Sequence, residues 1–311
     1  MKNLLKPLSL ALFVAATLLT QNACNRTSPS SNPPTQNAHT QTSPPSDTIP
    51  ATGPSSYFCK AIGGKKADGG FSIIQTSDGG YAIAGTTGSF GAGEADIYVI
   101  KLDANGNLQW TKTIGGKDWD VGHSLIQTSD GGYAIAGETE SFGAGGADVY
   151  VVKLDANGNL QWTKTIGGEN TEKGRSLIQT SDGGYAIAGT TTSFGEGVSG
   201  AYLVKLDANG NLQWTKTIGG PESEIGFSLI QTSDGGYAIA GYTYSFGAGF
   251  SDVYVVKLDK NGNACCAVSQ TSRVGSGGRL RSATSSIGSG GTLTSPTPTT
   301  SSGGTLSSQC P

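Results

Sequence analysis

The residues that could do chemistry are few, and most of them recur in register. Four acids, Asp68, Asp120, Glu172 and Glu224, stand 52 residues apart. A ring of four carboxylates around an axis could hold a cation. A carboxylate capping the backbone N–H groups of a glycine-rich loop explains the same residues without a metal. A second set, Asp103-Ala104-Asn105-Gly106-Asn107 and its copies, spaces oxygen ligands as the start of a calcium loop does. Its glycine falls in the wrong place, and the bidentate Glu of an EF-hand does not follow. Asn-Gly between two apolar runs is itself a hairpin signal, so calcium is the minor reading and no other cofactor is expected. There are two histidines, His39 and His123. At 52-residue steps His123 is matched by Phe71, Arg175 and Phe227. No Ser–His–Asp or Cys–His arrangement has spacing to support it, so no catalytic residue is assigned.

These residues sit in a repeat whose period is set by Tyr81, Tyr133, Tyr185 and Tyr237, each following a Ser-Asp-Gly-Gly turn. Each unit reads as two hairpins. In the second unit a strand at Ser124–Thr128 meets the turn at Ser129–Gly132, and Tyr133–Glu138 returns. A glycine-rich connection leads to Val149–Leu154, the Asp155–Asn159 turn and a closing strand at Leu160–Ile166. The glycines supply positive φ at little steric cost. Four short strands cannot form a stable domain alone, so neighbouring units must share cores. The predicted fold is all-β, a propeller-like array of four 52-residue, four-stranded repeats over 57–268. It could be a four-bladed ring in a monomer, half of a larger two-chain ring, or an open arc.

The Lys-Leu-Asp-x-x-Gly-Asn-x-x-Trp hairpin (Lys101 to Trp110), the Gly-Gly-Tyr strand and the Ile-Gly-Gly ending resemble the bacterial β-propeller repeats of secreted and surface proteins. The resemblance implies a blade per unit and leaves activity open, because propellers host many functions. Trp110, Trp162 and Trp214 are similar to the docking tryptophans of quinone-dependent propellers, although the rest of that repeat is missing. Packing between blades is the simpler role for a tryptophan repeated in each unit.

The flanks point to export. Lys2 and Lys6 precede an apolar run from Leu8 to Leu19, too short to span a bilayer. Residues 1–23 therefore read as a signal peptide, and Cys24 resembles the acylated cysteine of a bacterial lipoprotein. Residues 24–56, rich in Ser, Thr and Pro, read as a tether. The expected location is the bacterial cell envelope or surface, with a lipid anchor in the membrane. The remaining cysteines, Cys59, Cys265, Cys266 and Cys310, are even in number, as disulfides require. The segment Phe58–Ile62 aligns with Trp110–Ile114 one period later. It is expected to pair with the degenerate last strand near Asn263–Ala267, with Cys59 bridging to Cys265 or Cys266. Residues 269–311 carry a 13-residue repeat with one leucine per step, too thin an apolar supply for a packed element. The net charge of −3, without a basic run, excludes the electrostatic footprint of nucleic-acid binding.

The Ser-Asp-Gly-Gly and Asp-Ala-Asn-Gly-Asn turns of a blade share one face and hardly vary. The connections on the other face do vary, and loops on a rigid scaffold often carry recognition. Trp119, His123, Tyr242, Tyr244 and Phe250 are the candidate contacts there, for a glycan or a surface protein. The leading expectation is a non-catalytic binding or adhesion scaffold. The alternatives are a propeller enzyme acting on glycans or using a quinone, and a structural envelope protein without a discrete ligand.

Overall fold

The computed structural model describes residues 58–195, 197–247 and 250–264, and the backbone of three short strands at 273–275, 279–281 and 299–301. The signal segment, Cys24, the tether, Cys265, Cys266, Cys310 and most of the tail lie outside the described residues. The chain divides into two compact units, Ala61–Ser301 and a second made of Met1–Lys60 with Ser302–Pro311. Only Phe58–Lys60 of the second are described, and there Cys59 is exposed with a free thiol.

Within Ala61–Ser301, a short strand β1 (Ala61–Gly63) precedes the array. Unit 1 comprises β2 (Asp68–Gln75), β3 (Tyr81–Thr87), β4 (Asp96–Leu102) and β5 (Leu108–Ile114). Unit 2 comprises β6 (Asp120–Gln127), β7 (Tyr133–Thr139), β8 (Asp148–Leu154) and β9 (Leu160–Gly167). Unit 3 comprises β10 (Glu172–Gln179), β11 (Tyr185–Thr191), β12 (Gly200–Leu206) and β13 (Leu212–Gly219). Unit 4 comprises β14 (Glu224–Gln231), β15 (Tyr237–Thr243) and β16 (Asp252–Leu258) among the described residues. Three tail strands follow, β17 (Arg273–Gly275), β18 (Arg279–Arg281) and β19 (Thr299–Ser301).

Each unit is an antiparallel meander in chain order. Its turns take the form their residues dictate. Asp103 Oδ1 accepts from the N–H groups of Asn105 and Asn107, each at 2.8 Å, and Gly106 takes φ 75°. This is the local side-chain-to-backbone bonding that favours Asp at such turns. The carboxylate is thereby engaged by its own loop.

The cores lie between units. Leu177 of unit 3 is buried with Ala134, Ala136, Val149 and Val151 of unit 2. Leu125 and Leu229 take the same position at the other two junctions. Burying one such side chain contributes about 1.5–3 kcal/mol. The tryptophan of the last strand in units 1–3 clamps the same seam. Trp110, Trp162 and Trp214 meet Tyr133, Tyr185 and Tyr237 of the following unit edge-on, with ring centroids 5.7 Å apart. A Cβ on Gly158 or Gly210 would come within 3.0 Å of the preceding unit's indole, so these turn glycines also let the tryptophan close the seam.

One expectation is corrected, and another falls outside the described residues. The N-terminal strand pairs with β19, while the segment near Asn263–Ala267, its expected partner, is described only as far as Ala264. The tail, expected to lack packed elements, adds a strand to three outer edges. β17 pairs with β13, β18 with β9, and β19 with β1. In every case the paired positions are the same, centred on Ile218, Ile166 and Ile62. The shared Ile-Gly ending explains this: β1 is equivalent to the fourth strand of a unit, so it accepts the tail as β9 and β13 do.

Candidate functional site

The first strand of each unit is a sheet edge, and each carries a β-bulge at one position. The register shifts between Gly70 and Ser72, Gly122 and Ser124, Gly174 and Ser176, and Gly226 and Ser228. The extra residues are Phe71, His123, Arg175 and Phe227. A bulge re-aims its side chain out of the ladder's alternation. The strand opposite must then come close. A Cβ on Gly85, Gly137, Gly189 or Gly241 would fall 1.7–1.8 Å from a backbone carbonyl oxygen beside the bulge, so only glycine fits.

The bulge residues and their neighbours form two runs of contacts, one from unit 1 to unit 3 and one from unit 3 to unit 4. Phe71 packs on His123, with ring centroids 5.8 Å apart. His123 Nε2 lies 3.2 Å from Glu138 Oε1, and Lys173 Nζ lies 2.7 Å from Glu138 Oε2. The Arg175 guanidinium sits 5.2 Å over the Phe227 ring. Phe227 stacks at a tilt on Tyr242 at 5.4 Å, and Tyr242 meets Tyr244 edge-on at 5.5 Å. The middle of the stripe is thus charged and its unit 4 end aromatic.

The electrostatics follow from these partners. Burial alone would raise the Glu138 carboxyl, but the His123 hydrogen bond and the Lys173 charge outweigh it and hold it below the usual range. Glu140 nearby is raised, by burial first and by the charge of Glu138 second. In unit 3, Arg175 Nε and Thr190 Oγ1 are buried without a hydrogen-bond partner among the described residues. Leaving a buried polar group unpaired is costly.

The expected site residues divide into two groups. The structure brings His123, Tyr242 and Tyr244 onto the stripe. Trp119 lies off it: its indole N–H donates to Glu94, and Glu140 N–H donates to its carbonyl oxygen at 2.8 Å. Phe250 is 94% exposed. Phe71, Arg175, Phe227, Glu138 and Lys173 are site residues that the sequence alone did not single out. The signal available was the bulge column itself, where four aligned positions hold Phe, His, Arg and Phe.

The four repeated acids act as caps. Asp68, Asp120, Glu172 and Glu224 accept from the N–H groups of Gly64, Gly116, Gly168 and Gly220 at 2.6–2.7 Å. Hydroxyls of Ser89, Ser141, Thr191 and Thr243 complete them at 2.7–2.8 Å. Beside them, Asp96 is buried and its Oδ1 lacks a hydrogen-bond partner among the described residues. Burial pushes this carboxyl up to about 6, with the Asp120 charge adding to the rise and the Ala92 and Gly93 N–H groups opposing it. No group of three or more potential metal ligands occurs among the described residues. An open groove of about 640 Å³ lies on the invariant-turn face, lined by Asp78, Lys101, Gln109, Trp110, Gln127 and Tyr133 among others. It is built from the seam residues themselves.

Comparison with known proteins bears on the fold. A family model described as a β-propeller domain of unknown function (DUF5122) matches residues 180–212 and 232–265, the same stretch of units 3 and 4. The regulatory protein FlaEY of Caulobacter vibrioides is 28% identical over 217 residues, covering 63% of this chain and 22% of that protein. This chain therefore spans less than a quarter of that relative's length. Among solved structures, the α-L-arabinanase of Cellvibrio cellulosa complexed with arabinohexaose aligns with a TM-score of 0.33 and 14% identity, over 66% of this chain and 76% of that one. The repeated four-stranded sheets and the family match together make this chain an all-β, β-propeller-like repeat protein.

Proposed function

We propose that the chain is a non-catalytic binding protein that takes an extended glycan along the bulge edge. One observation carries this reading. The positions where the repeat is broken, Phe71, His123, Arg175 and Phe227, are the ones the bulges turn outward, and with Tyr242 and Tyr244 they form two runs of contacts along equivalent sheet edges. Aromatic faces suit the apolar faces of sugar rings, and the unpaired Arg175 Nε suits their oxygens. Glu138 is tied to His123 and Lys173, which favours a positioning role over proton transfer. Export and acylation at Cys24 would place this edge at the bacterial envelope, with residues 24–56 supplying reach.

The test is a glycan-array screen with the full chain, followed by calorimetry on the best binder. Phe227→Ala and Tyr242→Ala should each raise Kd about tenfold, the loss of roughly one aromatic contact. Trp119→Ala should leave it unchanged. Binding unaffected by both stripe variants would reject the site. Capture of a protein and no glycan would reject the ligand class, and cleavage of the bound glycan would replace the scaffold reading with the enzyme.

A further inference from the structure

The two ends of the array are the two halves of one interface that is already used three times inside the chain. At each internal junction a leucine of the later unit enters a slot made by the earlier one: Leu125, Leu177 and Leu229. The equivalent residue of unit 1 is Ile73, and it is 66% exposed. The equivalent slot in unit 4, beside Ala240, Val253 and Val255, is exposed as well.

The hydrogen bonds repeat in the same way. Leu125, Leu177 and Leu229 N–H donate to the hydroxyls of Ser72, Ser124 and Ser176 of the preceding unit, each at 3.1 Å. Ser77, Ser129 and Ser181 N–H donate to the Oε1 atoms of Gln127, Gln179 and Gln231 of the following unit, each at 2.8 Å. At the ends, Ile73 N–H and Gln75 Oε1 on unit 1, and Ser228 Oγ and Ser233 N–H on unit 4, make no such bond among the described residues. Donor would meet acceptor in both bonds if unit 1 of another copy followed unit 4.

The strand count agrees. β1 has the register of a fourth strand, and its outer edge takes β19 as β9 and β13 take β18 and β17. It therefore stands at the front of unit 1 as a fourth strand, with no first three strands before it among the described residues. Unit 4 presents three strands among the described residues. The register of β12 on β13 pairs Ala201 with Ile218, which places Val253 opposite Ile62 of the next copy.

We propose that unit 4 docks unit 1 of a second copy of this chain, head to tail, repeating the internal junction. A contact between unlike patches on identical chains is a heterologous interface, which closes into a ring or continues as a filament. It would also extend the stripe, because Phe227 and the second copy's Phe71 would meet as Arg175 meets Phe227 within the chain. The inference stands independently of the glycan reading.

Sedimentation velocity on the full chain, carrying Cys24→Ser so that no acyl group contributes, tests it. The wild-type surface should assemble with rising concentration, to twice the chain mass or beyond. Ile73→Asp blocks one patch and Val255→Asp the other. Both sites are exposed, so each variant should fold with an unchanged circular dichroism melt and assemble only at concentrations at least about tenfold higher. Mixed in equal amounts, the two variants retain one good pair of patches and should give a dimer that grows no further. A wild-type chain that stays monomeric at all concentrations would overturn the proposal, whether the chain closes on itself or its own residues beyond Ala264 cover unit 4. A mixture that fails to give the dimer would overturn it equally.

Discussion

β8 and β16 have the same sequence, Asp-Val-Tyr-Val-Val-Lys-Leu, and opposite surroundings. All seven residues of β8 are buried, whereas β16 alternates between half-buried and exposed up to its final leucine. Val151 is fully buried and Val255 is 67% exposed. The side chain of Lys153 is 4% exposed beneath its ion pair with Asp130, while that of Lys257, paired the same way with Asp234, is 50% exposed. The hairpins are alike, so the difference comes from the neighbour. Burial in this molecule belongs to the junction between units, and each unit carries only half of it. Repeat proteins behave this way because their stability sums what each unit supplies and what each nearest-neighbour interface supplies.

The junction leucines should show the widest gap between interior and end. Leu177→Ala should destabilise the chain by about 2–5 kcal/mol, as large-to-small changes in a packed core do. Ile73→Ala, the same position at the open end, should cost less than about 0.5 kcal/mol in dilute solution. Urea titrations of the two variants measure both. Equal costs would mean that the unit 1 face is buried after all.

A second contrast is electrostatic. The folded Asp96 carboxyl titrates at about 6, above its usual 3.8. A raised acid binds its proton more tightly in the folded state, so stability is greatest below pH 4 for this group and falls as pH rises through 6. The loss amounts to about 2–3 kcal/mol at roughly 1.4 kcal/mol per pH unit. Asp96→Asn should remove that loss, raising the melting temperature at pH 7 and flattening the profile between pH 4 and 6. A melting temperature at pH 7 no higher than wild type would show that the carboxylate is stabilised in the folded chain.

The smallest contrast lies in the Lys–Asp pairs. Burial pulls the Asp130 carboxyl up, but Lys153, Thr128 and the Gly132 N–H bring it down to about 2. The pair therefore stabilises the fold above pH 4, and that contribution disappears as pH falls through 2. Lys153→Met should cost about 1 kcal/mol at pH 7 and little at pH 2. Lys257→Met, in the exposed and more strongly screened pair, should lower the melting temperature less at pH 7 and little at pH 2. A matching loss for the two lysines would erase the distinction between interior and end.

How much of this was readable in the chain depends on how local its cause is. The hairpins were legible because Asp-Gly-Gly and Asn-Gly fix turns within four residues. The tryptophans were legible as seam packing because they recur with the period. The stripe was only partly legible. The bulges that build it come from the pairing of Gly85, Gly137, Gly189 and Gly241 with residues a strand away, and period-2 alternation gives no hint of an inserted residue. Trp119, an aromatic in a variable loop, carries the same sequence signal as Tyr242 and Tyr244, but its ring is engaged by Glu94. The β1–β19 pairing joins residues nearly the whole length of the array apart, and their three-residue strands have no composition to announce them.

The most direct test of junction-borne burial is amide hydrogen exchange on β8 and β16 in the same dilute sample. Exchange should be slow throughout β8 and faster at Val253 and Val255, with Ile73→Asp leaving that pattern unchanged. Equal protection of the two strands, at the lowest workable concentration and in the Ile73→Asp chain as well, would show that unit 4 is covered within a single chain and would contradict it.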